Sequence, residues 1–154
     1  MTSVRHFVFN GWPYSYFGQQ GNVRAAPARP DLVQSPLVLD HPLGAHTGSL
    51  GLTFHTGALF EAAFKNGAFA GLNGSWNRDA PSGNKVIFVP FVDSVPAGDP
   101  QDILAGIVNE GGEAMGRPVG LGIDATRALL NADDVGNKVW RLVPDGPTVL
   151  GANP

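Results

Sequence analysis

Three short stretches recur in the same order along the 154-residue chain, and this recurrence limits the available folds more than any other feature. Leu50–Phe54 parallels Val119–Ile123, Gly67–Asn77 parallels Arg127–Asn137, and Lys85–Pro90 parallels Lys138–Val143. Each copy reads strand, turn, strand, polar loop, strand. A mean spacing of about 60 residues suits propeller blades with inserted loops, since plain blades run roughly 40 to 50. A β-sandwich accounts for the same alternation of short strands and turns.

Local signals agree that the chain is all-β. Runs such as Ala68–Ala70, Lys85–Val89 and Lys138–Val143 are short and bounded by turn residues, and the 21 Gly and 13 Pro argue against a helix bundle. Ala58–Lys65 has helix formers with apolar residues three and four apart, so one or two helical turns are expected there, stopped by Asn66-Gly67. Residues 18–36 and Pro90–Pro100 read as loops.

Composition then removes several classes of function. The chain is 43% hydrophobic and only 15% charged, too apolar for a disordered segment. Ten basic residues against 13 acidic ones give a net charge of −3 with no Lys/Arg run, so nucleic-acid binding has no electrostatic footprint. Without Cys there is no disulfide, thiolate nucleophile or cysteine-held metal. No 18-residue apolar stretch reads as a membrane segment, and the apolar run after Met1–His6 breaks at Asn10-Gly11 before a signal peptide takes shape. The length supplies about three blades, whereas closed propellers use roughly 4 to 8, so the chain is expected to be part of a larger ring or to assemble.

Five strings occur together and in order: Gly11-Trp12-Pro13-Tyr14-Ser15-Tyr16-Phe17-Gly18, Ala45-His46-Thr47-Gly48-Ser49-Leu50-Gly51-Leu52, Gly74-Ser75-Trp76-Asn77-Arg78, Gly116-Arg117-Pro118-Val119-Gly120, and Ala132-Asp133-Asp134-Val135-Gly136-Asn137. Jointly they resemble the C-terminal part of the glucose/sorbosone dehydrogenase family, in its L-sorbosone dehydrogenase branch, over residues 9–144. Residues 1–8 are unmatched and 145–154 form a tail. The resemblance implies a partial β-propeller of about three four-stranded antiparallel blades, the C-terminal half of a six-bladed ring. It also implies pyrroloquinoline quinone and calcium as cofactors, a sugar or aldehyde as substrate, and a periplasmic or secreted location. With no signal peptide, the chain as it stands is expected in the cytoplasm.

The quinone carries three carboxylates and an ortho-quinone, which call for cations and a polarising donor. By resemblance Arg117 aligns with a cofactor-contacting arginine. Asn73 stands where the branch usually has His, Arg78 lies in the same loop, and His46 begins a strand at the equivalent edge. The backbone of Gly11, Trp12 and Pro13 resembles a calcium-holding segment. The family's general base, a histidine, belongs to an earlier blade; His6 is too poorly placed to replace it, so no catalytic residue is assigned and the chain alone is expected to be inactive.

Other residues read more simply. His46 and His55, each followed by Thr-Gly, suit turns better than a metal pair. Asp133 and Asp134 suit an Asx-type turn, because an EF-hand register from Asn131 puts Val135 and Leu142 at ligand positions. Trp76 and Trp140 are expected to pack between blades. Asp40-His41 with Ser49 lacks a nucleophile elbow. The competing expectation is a non-catalytic module that pairs, through open blade edges, with itself as a homodimer or with a chain carrying the N-terminal blades.

Overall fold

Among the residues that the computed structural model describes (1–55, 59–60 and 64–144), nearly all regular structure is antiparallel strand. They fall into two units, Met1–Leu43 and the chain from Gly44 onward. In the first, β1 (Ser15–Tyr16) pairs with β2 (Gln20–Gly21) across a turn whose Phe17 and Gly18 have positive φ. One helical turn, α1 (Pro30–Val33), follows, with Pro at its start, where the missing N–H is harmless. Residues 18–36 are therefore a loop interrupted by a strand and a turn of helix. Residues 1–8 lie along the end of this unit: Met1 and His41 exchange backbone bonds, and Ser3 donates to Asp40.

The second unit holds two sheets. In the first, β3 (Ser49–His55), β4 (Gly67–Leu72), β5 (Lys85–Val92) and β7 (Gln101–Leu104) form an antiparallel meander, and β6 (Val95–Pro96) folds back on the end of β5. The expected loop at 90–100 is thus corrected: β5 continues through Pro90 to Val92, because Phe91 and Val92 find partners in Pro96 and Val95. The second sheet is β8 (Pro118–Ile123), β9 (Leu129–Asp133) and β10 (Lys138–Leu142). The expected helix falls largely on residues outside the described ones.

The two sheets are copies of one blade plan. Both first strands carry an irregularity at the same place, between Ser49 and Leu52 in β3 and between Pro118 and Leu121 in β8. The register also corrects the sequence repeat by one residue in its middle piece. Leu72 opposes Lys85 and Asp133 opposes Lys138, so Leu72 corresponds to Asp133 and Gly67 to Ala128, not Arg127. The turns agree, since Asn66 and Arg127 have φ 57° and 74°, and Asn84 and Asn137 have φ 51° and 52°. A one-residue slip matters because it sends every side chain to the opposite face.

The core lies between the sheets. Phe69, Val86 and Phe88 face Leu129, with Phe60 buried beside them and Leu121, Ile123 and Leu142 packed around. Phe69 meets Phe60 and Phe88 at ring separations of 5.4 and 5.2 Å, and His55 lies edge-on to Phe60 and Phe69. Aromatic pairs at such distances add about 0.5–1.5 kcal/mol each beyond their buried area. The sheets meet most closely at Gly51, where a Cβ would strike the Val119 carbonyl oxygen and come within 2.9 Å of the Leu121 nitrogen. Backbone cannot yield as a side chain end can. Gly51→Ala is therefore expected to lower unfolding free energy by about 1–3 kcal/mol in urea titrations. Gly122→Ala, which points into open space, should stay within about 0.5 kcal/mol of wild type. Equal effects would show that the sheets do not meet there.

Candidate functional site: a rim of loops at one end of the sheets

The start of β3, the β4–β5 loop and the start of β8 lie at the same end of the two sheets, because Ser49 opposes Leu72, Leu72 opposes Lys85, and Pro118 opposes Asp133. Backbone bonds knit the first two together: Asn73 and Gly74 donate to the carbonyls of Gly48 and Thr47, and Ser75 donates to that of Ser82. Gly74 makes this possible twice over. Its φ is +100°, a region L side chains rarely enter, and a Cβ there would collide with the Asn84 side chain.

Arg117 joins the loop to the second sheet. Its Nη1 donates to the carbonyls of Asn73 (3.2 Å) and Gly74 (3.3 Å), and its Nη2 donates to that of Ser75 (3.1 Å). Its Nε hydrogen and one Nη2 hydrogen make no bond among the described residues. Buried Asn84 repeats the link, its Nδ2 donating to the Asn73 carbonyl and, at 3.4 Å, to that of Gly116. Asn73 turns its own amide inward, donating to the Pro118 carbonyl at 3.5 Å.

Under the rim sits Asp133. One oxygen accepts the backbone N–H groups of Arg117 and Gly136, both at 2.8 Å, and the other accepts the Trp140 indole at 2.9 Å. Burial opposes its charge, yet the indole and backbone donors overcome that penalty and hold the carboxyl below the usual range. The Gly136 bond closes the expected turn. Trp76 departs from the expected inter-blade packing. Trp140 is half-buried and tied to Asp133, with Lys138 over its ring at 4.7 Å. Trp76 is 84% exposed, because the Ser75–Ser82 bonds pinch its loop outward.

His46, at φ 59°, and Arg78 complete the rim, both exposed. Arg78 makes only long contacts, to the Ala45 carbonyl (3.5 Å) and the Ser82 hydroxyl (3.4 Å). Among the described residues neither Arg78 nor Arg117 has a carboxylate partner. Arg117, Asn73, Arg78 and His46 thus gather in one loop cluster. Sequence reasoning missed Asn84, Ser82 and Asp133 as its supports; the only signal was that Asn84 and Asp133 flank repeated strands.

Gly11, Trp12 and Pro13 belong to the first unit. The Gly11 carbonyl already accepts the Ser15 N–H, and the Pro13 carbonyl accepts the Asn22 amide, each at 2.8 Å. Ser15 Oγ is buried against Gly11 without a partner. Calcium takes six to eight oxygens, usually with carboxylates. Among the described residues no three His, Asp or Glu side chains converge on a metal position. Each of these carbonyls keeps a second lone pair, so the segment itself offers a cation neutral oxygens only.

The fold defines the class: an all-β arc of propeller blades. The PQQ domain of a pyranose dehydrogenase from Coprinopsis cinerea superposes with a TM-score of 0.63 at 22% identity, over 86% of this chain and 39% of that one. A carbohydrate-active enzyme of family AA12 from Trichoderma reesei gives 0.60 at 19% identity over 79% and 32%. A glucose dehydrogenase gives 0.60 at 18% over 89% and 35%. No family model matches the sequence. An uncharacterized protein of Borreliella burgdorferi is 31% identical over 137 residues, which are 86% of this chain and 35% of that protein. The chain thus spans about a third to two-fifths of the proteins it resembles, and shares the fold of a PQQ-dependent dehydrogenase domain. No helix among the described residues is long and apolar enough to cross a membrane.

Asp133→Asn should cost about 1–3 kcal/mol at neutral pH, because the buried acceptor loses charge and an oxygen. Its lowered carboxyl stabilises the fold above the unfolded value near about pH 4, and that stability is lost as pH falls further. Asp124, lowered by Thr126 and Arg141, acts in the same direction. The variant should therefore show a smaller acid-induced fall in urea midpoint than wild type. An unchanged fall would place the acid sensitivity elsewhere.

Proposed function

We propose that this chain is a portion of a quinone-dependent sugar or sorbosone dehydrogenase, acting in the periplasm or outside the cell. The parent reaction is hydride transfer from a sugar hydroxyl or an aldehyde hydrate to pyrroloquinoline quinone. The observation that carries this reading is a rim bearing two guanidiniums without carboxylate partners, on a fold shared with a PQQ domain. Arg78 is exposed and weakly held, so it is available to pair a carboxylate. Arg117, fixed by three loop carbonyls, presents its remaining N–H groups from a rigid position, which favours binding by avoiding reorganisation. Asn73 and His46 place an amide and an imidazole beside them. The quinone, when bound, supplies the two-electron acceptor. The carbonyls of Gly11, Trp12 and Pro13 would contribute neutral oxygens to a calcium site.

Two cations against three carboxylates predict weak binding. Equilibrium dialysis at low salt should show quinone retained by wild type, with at least a tenfold loss in Arg78→Ala and in Arg117→Ala. Retention equal in all three proteins, or absent from wild type, removes the reading. Dye reduction with glucose or sorbosone at an enzyme's normal rate would contradict the view that the chain is incomplete alone.

A second reading rests on Leu50, Leu52 and Phe54, which alternate along β3 and are all exposed on one face. Such a face suits a further blade, supplied by a second copy of the chain. Sedimentation velocity should then show a dimer that Leu52→Asp dissociates; a wild-type monomer at all concentrations removes it.

A further inference from the structure

We propose that Trp76 is a stacking platform for a pyranose ring, making the cleft beside it a sugar subsite of the rim. The inference deepens the sugar dehydrogenase reading and rests on it. A large apolar side chain held in water is the observation that asks for a ligand. Trp76 is 84% exposed, and among the described residues no aromatic ring pairs with it and no cation sits over its face. Slackness does not explain this. Ser75 immediately before it donates to the Ser82 carbonyl, accepts the Ser82 N–H on its hydroxyl, and accepts Arg117 on its carbonyl. Asn77 immediately after it takes φ 54°, and Arg78 reaches back to Ala45 and Ser82. The indole is therefore carried outward by a loop fixed on both sides.

The surroundings decide which ligand chemistry suits it. The cleft is about 500 Å³, lined by Ala45, His46, Trp76, Asn77 and Arg78. That is within the ordinary range for small-molecule sites, about 300–1,000 Å³. Its one broad apolar wall is the indole, which offers a flat electron-rich face to the C–H groups of a sugar ring. Around it stand an imidazole, an amide and a guanidinium, which together donate to and accept from hydroxyls. Arg78 is the single permanent cation in this lining. With Arg78 at its edge shared with a quinone carboxylate, the rest of this lining is neutral and suits a polyhydroxylated ring lying beside the quinone. Trp140 offers less open surface, being half-buried with the Lys138 ammonium over one face of its ring.

The test uses the full chain and ligand-observed saturation-transfer NMR with methyl α-D-glucopyranoside, beside quinone dialysis on the same samples. Transfer concentrated on one face of the sugar is expected in wild type and in Phe7→Ala, another exposed aromatic position, with at least a tenfold weaker effect in Trp76→Ala and partial retention in Trp76→Phe. Circular dichroism should be unchanged, because the replaced ring is exposed. Absence of transfer in wild type, or equal transfer in Trp76→Ala, overturns the subsite. If quinone is retained while the sugar signal fails, only the subsite falls. If the sugar signal depends on Trp76 while quinone is not retained, the cofactor reading falls and the subsite stands as a carbohydrate-binding site.

Discussion

Everything at the rim depends on how closely β3 and β8 approach one another. Gly51 lets the first sheet lie against the backbone of Val119–Leu121, and the absence of a side chain there sets the separation. Below this contact the aromatic core closes over Leu129. Above it, the loops at 45–48, 73–84 and 116–117 come within hydrogen-bonding reach of one another. A wider spacing would leave the Arg117 guanidinium short of the carbonyls it holds, and would break the bond from buried Asn84 to the Gly116 carbonyl.

The seam between the sheets changes character along its length. Phenylalanines and aliphatic residues fill the middle, where burial is driven by removing apolar surface from water. At the rim end the same faces carry Asn84, Asp133 and Arg117, and their polar atoms bond mainly to backbone. Side chains tied to backbone in this way hold loops in one geometry, which is what a binding edge needs. Arg117 uses most of its fork to fix the 73–75 carbonyls.

Much of the fold was legible in the sequence because blade strands are short, consecutive and antiparallel. The repeat located all six of the strands that form the matching parts of the two sheets. Its middle piece was one residue out because gapped matching weighs identities, such as Asn77 with Asn137, whereas the structure equates Asn84 with Asn137 through a shared left-handed turn. The site was partly legible. Arg117, Arg78, Asn73 and His46 do share one rim, but the supports Asn84 and Asp133 act across 32 and 16 residues of sequence, and no local pattern announces such bonds. Trp76 was misread because tryptophan is usually buried, and only the Ser75–Ser82 pinch explains its exposure.

The central claim is that two repeated sheets meet at Gly51 and are locked above that point by Arg117. Nuclear Overhauser contacts in isotope-labelled protein test it most directly. The account predicts cross-peaks between a Gly51 Hα proton and the Leu121 amide proton, and between Arg117 side-chain protons and the backbone of residues 74–76. Loss of both sets, with the Leu52–Ala70 pairing inside the first sheet still visible, would contradict it.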